Sequence, residues 1–246
     1  MKKIIIYQVM PRLFGNQKKT PIFNGSIKQN GCGKFNDFTD GRLEEIKRLG
    51  ITHIWYTGVI EHATQTDYSK FGIAKDHPEV VKGKAGSPYA IKDYYDVDPD
   101  LAEDVSNRMK EYQKLIQRTH KHGLKVVMDF VPNHVARQYH SDAKPKSVKD
   151  LGEDDVTDVF FSNQNNFYYL PCESFRPRFD VSQYADSAYR EEPCKATGND
   201  YFSNDPSIYD WYETVKINYG IDYQGGHTGH FSPVPRTWKQ MLHILQ

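Results

Sequence analysis

The sequence predicts an α/β fold built on a parallel sheet. Three short apolar runs bounded by glycine and proline are typical of strands, and amphipathic helical patterns separate them along the chain. This alternation of strand and helix is the order of right-handed βα units. At 246 residues the chain is long enough for one α/β barrel or for two smaller domains.

The first βα unit begins with an apolar, β-branched run. We predict a strand over residues 4–9 and a polar, glycine-rich loop over residues 15–37. A short helix is predicted over residues 40–49, because apolar residues recur on one face and Gly50 follows as a stop signal. The second strand is predicted over residues 51–57.

The next connection is longer. A loop is predicted over residues 62–88, and Asp98, which a proline follows, has the features of a helix N-cap. We predict a helix over residues 98–122, because apolar residues recur there at steps of three and four up to Gly123. The third strand is predicted in the run that spans residues 124–134.

Polar side chains follow the apolar part of this third strand. Asp129, Asn133 and His134 lie at its end, and α/β proteins carry their functional residues at the carboxyl ends of parallel strands. An Asp or Asn just past a strand also serves as a turn former or helix cap. The stretch by itself therefore leaves a purely structural role open.

The regular alternation stops after residue 135. Residues 136–235 show no sustained pattern and are too many for a simple loop, so we predict an inserted subdomain of irregular and short-strand structure. A final amphipathic helix is predicted from residue 237. Its apolar face is formed by Trp238, Met241, Leu242 and Leu245. Only three βα units are found where a closed barrel needs eight, and we expect a fold cut off partway.

Charge and composition argue against several classes of protein. Lys plus Arg equals Asp plus Glu at 32 each, without a basic block, so nucleic-acid binding is not expected. Aromatic residues reach 13% and are interleaved with polar ones, which suits flat, hydroxyl-rich ligands but also fits irregular packing. No run has transmembrane length, and the apolar run at residues 4–6 is too short for a signal peptide. We therefore expect a soluble, cytoplasmic protein without membrane contact.

The cysteines suggest neither a metal site nor a disulfide framework. Cys32, Cys172 and Cys194 are odd in number and lack metal-ligand spacing. Cys172 and Cys194 could pair, but the sequence does not imply a bridge.

Four motifs in order resemble the alpha-amylase superfamily of glycoside hydrolases, the thirteenth family of the usual classification. Residues 129–134, Asp-Phe-Val-Pro-Asn-His, are similar to the first family motif, Asp-Val-Val-x-Asn-His, at the end of the third barrel strand. Residues 89–99 resemble the segment before the second helix, and residues 7–12 and 50–55 resemble the first two strands. The resemblance implies the N-terminal part of a (β/α)8 TIM barrel, incomplete here, with an insertion after strand 3 that the family calls domain B.

This resemblance also implies domain boundaries. Residues 1–135 would form the N-terminal part of the barrel, residues 136–235 domain B, and residues 236–246 a truncated barrel helix. A fifth segment refines the match, since Lys216 and Asn218 agree with the Met-Pro-Lys-Leu-Asn motif of neopullulanase and cyclomaltodextrinase relatives. The two residues that precede Lys216 match neither that motif nor the Leu-Pro-Asp-Leu-Asp of many alpha-amylases.

The resemblance implies a retaining hydrolase acting on alpha-glucans such as maltooligosaccharides. Such enzymes need two carboxylates, which the family takes from its fourth and fifth strands, so we expect no catalytic residue here and an inactive fragment. Tyr89 would stack on a sugar ring, His134 would bind a sugar hydroxyl, and Asp129 would orient its neighbours. Each also has a structural alternative, a satisfied core histidine in the case of His134.

Asn133 is the family's candidate calcium ligand. Calcium requires six to eight oxygen ligands, and Lys216 stands where one family carboxylate would sit, so calcium is not expected. The alternative is that Asn133 hydrogen-bonds the base of the insertion. No other cofactor is implied.

The remaining acidic residues form no recognisable catalytic pair. We expect residues 153–155 and 191–192 to be solvated surface, and we consider Asp222, between two tyrosines, a candidate for lining the cleft. A second hypothesis is a non-catalytic carbohydrate- or partner-binding protein on a degenerate amylase scaffold. In either case an open sheet edge predicts self-association.

Overall fold

A computed structural model describes residues 3–225 and 229–246. Its helices are short at the start of the chain and longest in the middle: α1 Ile27–Asn30, α2 Asp40–Arg48, α3 Arg108–Lys121 and α4 Pro235–Ile244. The strands of the first half are β1 Ile6–Val9, β2 His53–Tyr56, β3 Ile60–His62, β4 Ile91–Val97 and β5 Lys125–Met128. Those of the second half are β6 His134–Ala136, β7 Tyr169–Leu170, β8 Cys194–Lys195, β9 Thr214–Lys216, β10 Ile221–Asp222 and β11 His230–Phe231.

The central sheet is parallel, as predicted, with strand order β1-β2-β5. Ile6 pairs with His53 and His53 with Lys125, so the three strands end at one edge. The strand β2 is buried in the middle, with Ile54 and Tyr56 fully inaccessible. Within the part of the chain that the structure describes, these three strands do not close into a barrel.

Two helices cover the sheet through one hydrophobic cluster. Leu43 of α2 and Leu115 of α3 are completely buried in this cluster together with Ile54. The helix α2 has the predicted extent, because the Thr39 hydroxyl accepts a hydrogen bond from the Arg42 amide at its start and Gly50 has a positive φ after its end. The sequence prediction of the first βα unit is confirmed at the level of its elements, β1 and α2.

The predicted start of α3 at Asp98 is wrong by about ten residues. Asp98 caps a single 3-10 turn, Pro99–Leu101, by accepting a hydrogen bond from the Asp100 amide. The carboxylate of Glu111 then accepts hydrogen bonds from the amides of residues 103 and 104. Because these side chains satisfy the backbone amides, this segment forms turns and the α-helix begins only at Arg108.

The structure contains a hairpin that the sequence analysis missed. The strands β3 and β4 pair antiparallel, with Ile60 opposite Val97. The strand β4 buries Lys92 and Asp93 almost completely, and the Lys92 ammonium lies 3.2 Å from Asp76. Buried charges interrupt the apolar alternation by which half-buried strands are recognised.

The third predicted strand is in fact two separate elements. The parallel strand β5 ends at Met128, residues 129–133 leave the sheet, and His134 begins β6. That second strand pairs antiparallel with β9, with His134 opposite Lys216. Asp129 and His134 therefore belong to different elements that meet above the same sheet edge.

The described residues between 137 and 234 form short strand pairs and irregular connections, as expected for this stretch. The strand β7 pairs with β8, and β10 with β11. Two acidic runs expected to be solvated are partly buried. Glu191 pairs with the buried Arg137 at 2.6 Å, and the Asp155 carboxylate accepts hydrogen bonds from two backbone amides and the Tyr169 hydroxyl.

The last helix buries only part of its predicted apolar face. Met241 is 4% exposed, whereas Trp238, Leu242 and Leu245 remain about half exposed. Of these three, Trp238 packs against the Tyr219 ring, with the two ring centroids 4.8 Å apart. None of the helices in the described ranges is long and apolar enough to cross a bilayer. The three cysteines are free, with Cys172 exposed and Cys194 buried, so the pairing that the sequence left open does not form.

Candidate functional site

A cavity of about 610 Å³ opens at the carboxyl edge of the parallel sheet. Its floor comes from the ends of the three strands, and its walls come from the loop before β4 and from the segment that leads into β9. The lining residues are Gln8, Trp55, Lys82, Ser87, Tyr89, Asp129, Phe130, Val131, Pro132, His134, Trp211, Glu213 and Thr214. The cavity therefore brings together Tyr89, Asp129 and His134, the three substrate-binding residues predicted from the sequence.

Asp129 lies directly after β5 and is held by its neighbours. One carboxylate oxygen accepts a hydrogen bond from the indole N–H of Trp55, and the other accepts one from the Gly58 amide at 3.3 Å. Both donors follow or belong to the central strand β2. Asp129 thus fixes the orientation of the Trp55 ring in the cavity floor.

His134 is nearly buried, with 7% of its surface exposed. Burial and, secondarily, the positive charge of Lys216 lower the pKa of this imidazole, while a hydrogen bond to the Tyr89 backbone opposes the shift. The ring is therefore neutral at pH 7. Its Nδ1 lies 3.0 Å from the Asn133 side-chain nitrogen, and the Trp211 ring centroid is 5.0 Å away.

Two aromatic side chains of the cavity wall remain open to solvent. Tyr89 is 43% exposed and Trp211 is 42% exposed. Exposed aromatic rings in a concave site offer apolar faces for stacking and polar edges for hydrogen bonding. The wall is thus suited to a ring-shaped ligand with hydroxyl groups.

Asn133 does not fit a calcium site. Its amide nitrogen donates a hydrogen bond to the Gly198 carbonyl at 3.2 Å, and its oxygen faces the Lys216 ammonium at 3.4 Å. Lys216 in turn pairs with Asp200 at 2.6 Å. A divalent cation at the Asn133 oxygen would meet this lysine, and no cluster of three or more acidic, histidine or cysteine ligands occurs among the described residues.

The sequence analysis missed several residues of the site and misplaced one. Gln8 and Trp55 lie on strands already predicted, so their position near the strand ends was an available signal. Trp211 and Glu213 lie in an irregular region where no pattern identifies them. Asp222, the candidate for lining the cleft, lies in β10 outside the cavity wall, and its carboxylate accepts a hydrogen bond from the Gln224 amide.

A second group of ionisable residues lies outside the cavity, around the hairpin of β3 and β4. Burial raises the pKa of Glu61 to about 9, although the Lys92 ammonium opposes this shift. The two groups are 3.9 Å apart. At that distance burial outweighs the attraction, and Glu61 is protonated at pH 7. The sequence showed no sign of this environment.

The comparisons with known proteins agree with the motifs. The family model described as the alpha amylase catalytic domain matches residues 8–211. The trehalose-6-phosphate hydrolase of Bacillus subtilis (strain 168) is 27% identical over 138 residues, covering 56% of this chain and 18% of that relative. Alpha-amylase 2 of Dictyoglomus thermophilum is 23% identical over 177 residues, covering 72% of this chain and 25% of the relative.

One solved structure is similar along nearly the whole chain. It is a noncanonic maltogenic alpha-amylase from Thermotoga neapolitana, 19% identical, with 98% of this chain and 35% of the other covered at a TM-score of 0.46. The chain spans about a quarter or less of the length of the two curated relatives. Since the family model covers most of the sequence, the chain belongs to the alpha-amylase family, whose catalytic domain is a (β/α)8 barrel.

Proposed function

We propose that this chain is part of a retaining glycoside hydrolase that acts on alpha-glucans. The observation that carries the proposal is the cavity at the carboxyl edge of the sheet, where Tyr89, Asp129 and His134 come together. Family membership supports the same chemistry. The substrate would be a maltooligosaccharide or a related alpha-glucan.

Each of the three residues has a role that its surroundings support. The exposed ring of Tyr89 stacks on the sugar bound at the cleavage point. His134, kept neutral by burial and by Lys216, hydrogen-bonds a hydroxyl of that sugar. Asp129 is a positioning residue, since both of its oxygens bind protein donors.

Catalysis needs two further carboxylates. Retaining enzymes hold a nucleophile and an acid–base about 5–5.5 Å apart around the scissile bond. In this proposal they come from the fourth and fifth barrel strands of the full-length protein, and residues 1–246 alone are inactive. The cavity floor on three strands is then one side of the complete site.

The domain boundaries form part of the proposal. Residues 1–135 would be the first barrel segment, residues 136–235 domain B, and residues 236–246 the start of the next barrel helix. The pairing of β6 with β9 supports an insertion at this point, because Ala136 lies opposite Thr214 and most of the proposed domain B lies between them in the chain. Lys216, which links Asn133 to Asp200, favours a neopullulanase- or cyclomaltodextrinase-like member.

The test is hydrolysis of maltotriose, maltohexaose and cyclomaltodextrin by the full-length protein. We expect release of reducing sugar in the α-anomeric configuration, and NMR of the initial products identifies the anomer. Tyr89→Ala and His134→Ala should each lower kcat/KM at least about tenfold, because each removes a contact worth at least about 1.4 kcal/mol. The matched control is Tyr209→Ala, since Tyr209 is 91% exposed and does not line the cavity.

Two results would count against the proposal. A full-length protein that binds these sugars without cleaving any of them would favour the non-catalytic binding protein. A protein that neither binds nor cleaves them would exclude an alpha-glucan site altogether.

A further inference from the structure

The cavity wall contains a carboxylate for which the proposed function has no role. Glu213 lies immediately before β9 and is 4% exposed. Its buried oxygen Oε2 has no hydrogen-bond partner among residues 3–225 and 229–246. Buried carboxylates in folded proteins normally have such partners, because desolvation without them is costly.

Lys82 balances the negative charge of Glu213 but does not donate a hydrogen bond to its carboxylate. The ammonium lies 3.4 Å from Oε2 but donates its hydrogen bond to the Asp210 carbonyl at 3.2 Å. It also lies 5.2 Å from the centre of the Tyr212 ring. Lys82 is therefore held in place by the neighbouring segment, and the acceptor capacity of Glu213 remains free.

The position of Glu213 indicates what would use that capacity. Trp211, two residues earlier, lines the same cavity with an exposed ring, and this ring lies close to that of His134. An aromatic face beside an anionic hydrogen-bond acceptor suits a pyranose ring, which has an apolar face and hydroxyl groups along its edge.

Charge narrows the class of sugar further. Among the described residues, the cavity is lined by two carboxylates, Asp129 and Glu213, and by one lysine. Lys82 is paired with Glu213, and the three charged side chains together carry a net charge of −1. A phosphorylated sugar would meet an excess of negative charge.

We propose that Glu213 accepts hydrogen bonds from hydroxyls of a neutral glucosyl unit that packs on Trp211, and that it selects neutral over phosphorylated glucosides. The inference rests on the proposed alpha-glucan site and assigns the residue that sets its preference. It distinguishes this chain from its Bacillus subtilis relative, whose name specifies a phosphorylated disaccharide.

The experiment measures Kd by calorimetry for maltotriose, maltose and maltose 6′-phosphate with the full-length protein. Wild type should bind maltose at least about tenfold more tightly than its phosphate. Glu213→Gln and Glu213→Ala should raise the Kd for maltotriose about tenfold, the value of one hydrogen bond to a charged group. Glu213→Gln should also reduce the discrimination against the phosphate. The control is Glu79→Gln, since Glu79 is buried to a similar degree outside this cavity and should leave both constants unchanged.

The outcomes separate the two proposals. Wild type that binds none of these sugars would overturn the proposed function and the inference with it. Two results would overturn the inference alone. One is that both Glu213 variants bind maltotriose with the same Kd as wild type. The other is that wild type binds maltose and its phosphate with equal affinity. A thermal melt checks that the variants fold. If the variants do not fold, the affinity of the wild-type protein for a series of monodeoxy maltosides provides the test. At least one of these sugars should bind about tenfold more weakly than maltose. Equal affinities across the whole series would refute the role of Glu213.

Discussion

Replacement of Arg137 by methionine tests how the irregular half of the chain is held together. The Arg137 side chain is fully buried and pairs with Glu191 at 2.6 Å. Its guanidinium also donates hydrogen bonds to the carbonyls of Tyr212, Lys195 and Thr214, at 2.7, 3.1 and 3.3 Å. One side chain thus connects three separate segments of residues 137–234.

The expected cost follows from what the substitution leaves behind. Removing one partner of a buried ion pair typically costs about 3–5 kcal/mol, because the other charge stays buried. Lys195 remains 3.6 Å from Glu191, and methionine can still pack on the Phe175 ring that Arg137 now covers. These two effects reduce the loss, but three carbonyl groups also lose their donor, so we expect a loss of at least about 3 kcal/mol.

Urea unfolding followed by tyrosine and tryptophan fluorescence measures this loss. Arg178→Met is the matched control, since Arg178 is half exposed and its pair with Asp205 is 3.6 Å long. That variant should lose less than about 1 kcal/mol. Equal losses for the two variants would refute the view that the buried pair organises this region.

The same pair determines a response to acid. Burial opposes ionisation of Glu191, but the charges of Arg137 and Lys195, with hydrogen bonds from the Lys195 amide and Tyr189, outweigh it and lower the pKa. A carboxylate whose folded pKa is lowered stabilises the fold above its unfolded pKa, and this contribution is lost as pH falls through the folded value. Wild type should therefore lose stability on acidification below about pH 4.5, and Arg137→Met should show a smaller loss.

Three further predictions concern other parts of the molecule. Glu61→Gln should stabilise the protein at pH 8 by more than about 1 kcal/mol in urea unfolding and flatten its pH dependence, since a carboxyl whose pKa is raised to about 9 destabilises the fold increasingly from about pH 4.5 to 9. In free-energy terms, Asp129→Ala should reduce the transition-state stabilisation measured by kcat more than it reduces the free energy of unfolding. Trp55 fluorescence should report the released indole, and unchanged activity would contradict a positioning role. The 246-residue chain should associate with rising concentration in analytical ultracentrifugation, because the outer edge of β5 has no neighbouring strand among the described residues; a monomer at all concentrations would contradict this.

The parallel sheet could be predicted from the sequence, because each of its strands and the helix α2 is marked by residues within or next to the element itself. The strands β1, β2 and β5 are apolar runs with clear boundaries, and α2 has both a capping residue and a terminal glycine. Tyr89, Asp129 and His134 were identified through motifs, and the structure brings them to one cavity. Their roles in sugar binding stay predictions.

The missed features depend on partners distant in the sequence. Lys92 can be buried in β4 because groups from another segment, the Asp76 carboxylate and the Ala74 carbonyl, lie beside its ammonium, so the strand has no apolar alternation to detect. His134 pairs with Lys216, more than eighty positions later along the chain. Glu213 shows no local signal either, since its significance comes from a cavity assembled by three strand ends and two loops.

The pairing of β6 with β9 also has a consequence for how ligand binding affects stability. This three-residue ladder closes a loop of roughly 80 residues, and closing a chain of that length costs about 4 kcal/mol of entropy apart from a constant. A sugar in the cavity would contact Tyr89, which precedes the ladder in the chain, and Trp211 and Glu213 at the far end of the loop. Bound ligand would therefore be a second connection between the two ends of the same loop. At a ligand concentration of a hundred times Kd, binding would raise the free energy of opening the loop by about 2.7 kcal/mol.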